Sequence, residues 1–169
     1  MKEPSVFVTY NPGNEFEQTL AIRLHTIGGV HGFNMLLPDR FGGTSKPNSE
    51  TIYRIRMADY FIFFSTSTLT SLVKQEIDYA FEHLKDKSRI IIIYNKKKNL
   101  KHNENCTEIY IDSGKQTHQE IVNTVIDKMK ASSKATHKKE VQEADVADVL
   151  GGILLVGLGL MALDAIVKK

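Results

Sequence analysis

Apolar positions along the chain fall into short strand-like runs that alternate with segments of helical periodicity. The runs are VFVTY at 6–10, FNMLLPD at 33–39, DYFIFFS at 59–65, RIIIIYN at 89–95 and TEIYID at 107–112. The third and fourth runs have no polar alternation. This is typical of strands whose two faces are both buried in a parallel sheet.

The segments between these runs predict helices. Residues 15–27 carry apolar positions at helical spacing, and the Gly-Gly pair at 28–29 is expected to end that helix. Ser49 is expected to cap a short second helix. A third helix is predicted to begin at Thr68 or Leu69 and to run to Leu84, and a further helix is predicted from Thr117 to about Ser132. Alternating strands and helices predict an α/β fold, a flavodoxin-like doubly wound sheet of five parallel strands.

The carboxyl ends of the predicted strands are the expected place for a ligand, because loops and helix N-termini gather there in open α/β sheets. In this chain those ends carry Tyr10-Asn11, Asp39-Arg40, Ser65 and Tyr94-Asn95. The helix predicted after the third strand begins at the same edge. Its side chains are therefore candidates for a site.

Glu76 is an unusual carboxylate within that helix. On a helical wheel the apolar face is formed by Val73, Ile77, Ala80, Phe81 and Leu84. Asp78 and Glu82 point away from this face, whereas Glu76 flanks it and is expected to be partly desolvated. Spacing alone favours a boundary glutamate that reaches water or pairs with a lysine; a functional carboxylate is the alternative.

Composition and charge narrow the classes of function. The length of 169 residues suits one globular domain. The 22 basic and 20 acidic residues leave a net charge of +2, so no nucleic-acid partner is expected. The single cysteine, Cys106, cannot form an internal disulfide, and the histidines lack metal-ligand spacing, so no metal site is expected. The N-terminus lacks a secretory signal pattern, and the cytoplasm is the expected location.

The C-terminal part of the chain has a different character. We expect a domain at 1–134, a polar linker at 135–145 and a hydrophobic, glycine-rich helix at 146–169. The uncharged stretch at 149–163 would span about 22 Å as a helix, short of the roughly 30 Å hydrocarbon core of a bilayer. Three interpretations stay open: membrane contact through 146–167, self-assembly, or packing onto the domain.

The order of several motifs resembles the TIR (Toll/interleukin-1 receptor) domain family, particularly its bacterial members. The matching segments, within residues 5–134, are VFVTY, LLPDRFGG, SETIYRIRMADYFIFFSTS and LVKQEI. Thr9-Tyr10 matches the Ser-Tyr-like pair that ends the first strand, and 40–48 matches the BB loop. The Trp-Cys/Val-x-x-Glu pattern of the following helix is matched by Leu72 to Glu76, with leucine in place of the tryptophan.

The resemblance implies an activity. Enzymatic TIR domains use the helix glutamate, here Glu76, to cleave the bond between nicotinamide and ribose in NAD+. The products would be nicotinamide and ADP-ribose or a cyclic ADP-ribose, in a bacterial antiphage defence or signalling setting. NAD+ is then the substrate, and no cofactor is expected. The family also implies a homo-oligomer held by TIR–TIR contacts.

Other residues are weaker candidates for substrate binding. Tyr10 and Phe41 are suited to stacking on a base, Asn11 and Ser65 to hydrogen bonds with ribose or phosphate, and Arg40 to a phosphate. An ordinary structural role is equally open for each.

Leu72 joins this set because it stands where the family has an aromatic ring beside the site. Two rival functions also stay open. One is a non-enzymatic TIR scaffold that acts by self-association, which the absence of that ring favours. The other is a nucleoside deoxyribosyltransferase-like enzyme, which also uses a glutamate at an N-glycosidic bond.

Overall fold

The computed structural model describes residues 3–40, 45–95, 103 and 105–134. The strands are β1 (Ser5–Thr9), β2 (Asn34–Leu36), β3 (Tyr60–Ser65), β4 (Ile90–Asn95) and β5 (Thr107–Ile111). The helices are α1 (Glu15–Val30), α2 (Ser49–Met57), α3 (Ser71–His83) and α4 (residues 118–134), and a short 3-10 turn spans Lys87–Arg89.

Within the described ranges the strands form one parallel five-stranded sheet in the order β2-β1-β3-β4-β5. This is the flavodoxin-like order, whose direction reverses beside β1, and it confirms the predicted fold class. The register places Phe7 opposite Phe61. Because the strands are parallel, the carboxyl ends at Thr9, Ser65 and Asn95 meet at the same edge of the sheet.

Both faces of the sheet are buried. Residues of α1 and α4 pack on one face, and residues of α2 and α3 pack on the other. Each face of the sheet has its own hydrophobic core, and strand β3 contributes to both. Ile62 and Phe64 belong to the core beneath α1 and α4, and Phe61 and Phe63 belong to the core beneath α2 and α3. Phe7 stacks on Phe61 with ring centroids 5.6 Å apart. The predicted burial of β3 and β4 on two faces is confirmed, since all but the last residue of each strand is buried.

Helix α1 ends later than the sequence predicts. It continues through the glycine pair to Val30, and the chain then turns at Gly32, which has a φ of +80°. Gly28 is buried inside the helix, where a Cβ atom would lie 2.6 Å from the sulfur of Met35 on β2. The prediction that glycines 28–29 stop the helix is therefore wrong. Gly28 instead allows close contact between α1 and β2.

The starts of α2 and α3 also differ from the predictions. The N-cap of α2 is Asn48, whose side-chain oxygen accepts a hydrogen bond from the backbone of Thr51, and Ser49 is already helical. Met57, the last residue of α2, is half exposed. Helix α3 begins at Ser71, after the N-cap Thr70, and so starts later than expected.

Contacts group Met1–Lys130 into one compact unit and Ala131–Lys169 into a second. In the second unit the structure describes 131–134. The predicted linker at 135–145 and hydrophobic helix at 146–169 lie outside the described residues, and those predictions stand as they were made. In the described part of the chain, no helix combines the length and hydropathy needed to cross a bilayer.

Candidate active site

Glu76 is on α3, and its side chain lies next to the carboxyl end of β1, where it is fully buried. Thr9, the last residue of β1, donates its hydroxyl hydrogen to Oε2 of Glu76. Arg40, on the segment that follows β2, donates from Nη1 to Oε1 at 2.5 Å and from Nη2 to Oε2 at 3.0 Å. The carboxylate is thus held by one hydroxyl and by the two-point contact of a guanidinium.

Helix α3 presents Glu76 to the sheet as part of its buried face. The buried residues of α3 are Val73, Glu76 and Ala80, which are spaced to share one side of a helix. The sequence placed Glu76 at the edge of the apolar face, but it occupies a core position. Asp78 and Glu82 are exposed, as predicted.

The partners of Glu76 offset the cost of burying its charge. An unpaired buried carboxylate is very unfavourable, and a bidentate arginine contact is among the strongest compensating interactions. Arg40 itself is 19% exposed. Its Nη2 also donates to Oγ1 of Thr9 at 3.2 Å and to the carbonyl oxygen of Tyr10 at 3.0 Å. Because Thr9 gives its hydrogen to Glu76 and accepts from Arg40, the three side chains form one closed network.

Glu17 is a second fully buried carboxylate at this edge. Its Oε2 accepts from the backbone N–H and the side-chain amide of Asn11, at 2.8 and 2.9 Å. Its Oε1 accepts from the hydroxyls of Thr66 and Ser67, at 2.7 and 2.8 Å. Four neutral donors therefore satisfy this carboxylate. It joins α1 to the loops that follow β1 and β3.

Asn11 connects the Glu17 network to the start of α3. Its Oδ1 accepts from the backbone N–H of Thr70, the N-cap of α3, at 2.9 Å, and its amide nitrogen also donates to Ser67 at 3.0 Å. Asn11 is 3% exposed. The predicted hydrogen bond from Asn11 to a ribose or phosphate would have to replace one of these contacts.

The other predicted site residues take different positions. The guanidinium carbon of Arg40 lies over the ring of Tyr10, 5.4 Å from the centroid of that ring. Ser65 is half-buried at the end of β3, opposite Tyr94, and Leu72 is half-buried one turn before Glu76. The structure therefore brings Tyr10 and Arg40 together with Glu76. Phe41 lies outside the described residues.

Two parts of the candidate site were not predicted from the sequence. They are the Thr9 hydroxyl, which donates to Glu76, and the hydrogen bonds around Glu17. Glu17 stands three residues after Asn14, the N-cap of α1, in the spacing of a capping box. In such a box its side chain would return to the N-cap backbone. It binds Asn11 instead, so the capping pattern marks the residue but does not reveal its partners.

A separate cluster of titratable groups lies across β4 and β5. A hydrogen bond from Tyr110 to Glu108 raises the pKa of Tyr110 to about 12. Burial, with a smaller effect of Glu108, raises the pKa of Tyr94 and that of the Cys106 thiol. Cys106 is thus protonated at neutral pH and is a poor nucleophile.

Among the described residues, no group of three His, Cys, Asp or Glu side chains is placed to hold a metal ion.

No protein-family model matches the chain, and no curated protein matches its sequence. Among solved structures, it is similar to the metal-soaked Flv1 flavodiiron core of Synechocystis sp. PCC6803, with a TM-score of 0.54 and 13% identity over 79% of this chain. This chain spans 37% of that chain. It is also similar to the CMP N-glycosidase BcmB of Clostridium botulinum, with a TM-score of 0.45, 18% identity and coverage of 72% and 97% of the two chains. The likeness to the flavodiiron core concerns the α/β fold alone.

Proposed function

We propose that the protein is a TIR-type N-glycosidase that cleaves NAD+ between nicotinamide and ribose, with Glu76 as the catalytic carboxylate. The observation that carries the proposal is the full burial of Glu76 at the carboxyl edge of the sheet, in contact with Arg40 and Thr9. Ligands of open α/β sheets bind at this edge. The TIR resemblance independently selects the same glutamate.

The chemistry needs one well-placed carboxylate. Nicotinamide in NAD+ is cationic, so it leaves as a neutral base with the electron pair of the broken C1′–N bond and needs no acid. Positive charge then develops on the ribose, and an adjacent carboxylate stabilises it, more strongly where water is excluded. Water forms the new bond to C1′ and releases a proton, so that NAD+ and water give nicotinamide, ADP-ribose and a proton. Attack by a group of the substrate itself would give the cyclic product.

Glu76 suits this role better than Glu17 does. Both oxygens of Glu17 are held by neutral donors of the scaffold, from Asn11, Thr66 and Ser67. Glu76 is held instead by a charged group that is partly exposed and comes from another segment of the chain. The guanidinium of this pair can form the same two-point contact with a phosphate group of a ligand.

A scaffold that acts by self-association is the second candidate function. Tyr53 and Met57 lie one turn apart on α2 and are 58% and 50% exposed. Tyrosine and methionine are enriched at contact surfaces between proteins. Leu72 favours the same alternative, because the aromatic ring expected beside the site is replaced.

Turnover assays separate the candidates. The full chain is incubated with NAD+ and, separately, with deoxynucleosides, and released bases are measured by chromatography. Glu76→Gln is compared with Glu82→Gln, a change at an exposed position of the same helix. We expect nicotinamide release by the wild type and by Glu82→Gln, and a loss of about a hundredfold or more in Glu76→Gln.

Each other outcome decides against NAD+ cleavage by Glu76. Nicotinamide release that persists in Glu76→Gln would refute the assignment of this residue. Base release from deoxynucleosides alone would favour the deoxyribosyltransferase-like alternative. Absence of turnover at concentrations where the chain self-associates would favour the scaffold.

A further inference from the structure

Arg40 occupies both oxygens of Glu76, at 2.5 and 3.0 Å, and Thr9 also donates to one of them. The guanidinium therefore neutralises the negative charge that the proposed reaction needs. Because Glu76 is fully buried with these contacts in place, a ribose has no access to the carboxylate. The proposed reaction requires that at least the Arg40 contact be replaced.

Arg40 is the partner that can move. It lies outside regular secondary structure and is 19% exposed, whereas Glu76 is on a helix and fully buried, and Thr9 is on the central strand β1. Among the described residues, Nε of Arg40 has no hydrogen-bond partner. A guanidinium forms two-point contacts with phosphate as readily as with carboxylate.

We propose that Arg40 makes bond cleavage depend on a phosphate or diphosphate group in the substrate. The anionic group binds Arg40, draws it away from Glu76 and leaves the carboxylate free to face the ribose. This inference rests on the proposed N-glycosidase function and extends it, because it names the part of the substrate that selects a nucleotide over a nucleoside.

The physical reason is an exchange of partners. When a diphosphate takes the place of Glu76 as the partner of Arg40, the guanidinium still has a charge-assisted contact. The freed carboxylate then faces the positive charge that develops on the ribose. A nucleoside without phosphate would have to break the pair and leave Arg40 without an anion. Such a substrate is therefore disfavoured even when its base and ribose fit the site.

Substrates that differ only in phosphate content test this selection. NAD+, nicotinamide mononucleotide and nicotinamide riboside are compared with the wild type, Arg40→Gln and the control Arg56→Gln, which changes an exposed arginine of α2. We expect the wild type and the control to prefer the phosphorylated substrates in kcat/KM. Arg40→Gln should reduce that preference by about tenfold or more. An unchanged preference would overturn the proposal.

Inorganic pyrophosphate separates partner exchange from simple phosphate binding. If an anion frees Glu76, pyrophosphate should stimulate cleavage of nicotinamide riboside by the wild type and not by Arg40→Gln. Simple binding of phosphate to Arg40 predicts no stimulation in either protein. A lack of stimulation in the wild type would therefore contradict the exchange.

A binding measurement tests whether Arg40 exchanges Glu76 for an anion, and it does not require turnover. Pyrophosphate is titrated calorimetrically into the full-length wild type, Glu76→Gln, Arg40→Gln and Arg56→Gln. Because Glu76 competes with the anion for Arg40, Glu76→Gln should bind pyrophosphate several-fold more tightly, and Arg40→Gln should lose the binding. Equal affinity in wild type and Glu76→Gln, or retained affinity in Arg40→Gln, would overturn the proposal.

Two further observations keep the result interpretable. Thermal unfolding shows whether each variant is folded, and Glu76→Asp, whose shorter side chain weakens the contact with Arg40, replaces Glu76→Gln if that variant does not fold. If none of the three nicotinamide substrates is cleaved, the proposed function fails, while the calorimetric comparison still decides whether Arg40 exchanges partners.

Discussion

The guanidinium of Arg40 meets the carboxylate of Glu76 in a two-point contact across 36 residues of sequence. The contact joins the segment after β2 to the middle of α3, and it passes over the end of β1, where Thr9 binds both partners. Strands β1 and β2 are neighbours in the sheet. The sheet order is therefore what brings the two charged residues together.

Thr9→Val should weaken the network without changing the shape of the residue. The hydroxyl donates to Glu76 and accepts from Arg40, so its loss leaves the buried carboxylate and the partly exposed guanidinium each with one partner fewer. We expect a decrease of about 1–3 kcal/mol in the free energy of unfolding. Urea denaturation measures this change. Thr26→Val, at an exposed position of α1, is the control and should stay within about 0.5 kcal/mol of the wild type.

Glu17→Gln should destabilise the loops that position α3. In the glutamine side chain an NH₂ group replaces one of the two oxygens that accept hydrogen bonds from Asn11, Thr66 and Ser67. This NH₂ group is a donor that faces other donors, so at least one of these contacts is lost. We expect a loss of about 1–3 kcal/mol in unfolding free energy, together with faster amide hydrogen exchange at the start of α3. Glu15→Gln, at an exposed position in the first turn of the same helix, is the matched control. Equal exchange rates in both variants would argue against this linkage.

Alanine substitutions at the two adjacent glycines of α1 should have opposite effects. At position 28 the new Cβ would lie 2.6 Å from the sulfur and 2.7 Å from Cγ of Met35, so Gly28→Ala should cost about 1–3 kcal/mol. At position 29 no atom lies within 4 Å, and Gly29→Ala should stabilise the protein by up to about 1 kcal/mol through helix propensity. Urea denaturation of the two variants tests both signs.

Tyr110 should titrate near pH 12, because its hydroxyl donates to Glu108 and ionisation would place two negative charges together. The unfolded chain releases this proton near pH 10, so the contribution of Tyr110 to stability is fully present below pH 10 and is lost as the pH rises towards 12. Phenolate absorbance, compared between wild type and Tyr110→Phe, identifies the transition. Glu108→Gln should move it towards pH 10, whereas Tyr53→Phe, at an exposed site, should leave it unchanged.

Local patterns predicted much of the fold correctly. The unbroken apolar runs of β3 and β4 identified strands with two buried faces, and the alternation with helices identified a parallel α/β sheet. These features follow from short-range hydrophobic periodicity, which the sequence states directly. The same patterns identified the carboxyl edge of the sheet and selected Glu76 as the residue whose position needed an explanation.

The partners of that residue required the tertiary structure. A helical wheel records the direction of Glu76 but not the identity of the groups on other elements, so neither its full burial nor its contacts with Arg40 and Thr9 were predicted. The close contact of Gly28 with Met35 of the neighbouring strand was likewise not predicted, because it joins two separate elements. The sequence by itself thus determined the elements and their order, through interactions within a few residues. The tertiary structure decided which distant side chains meet, because charge pairing and packing depend on how the elements are arranged in space.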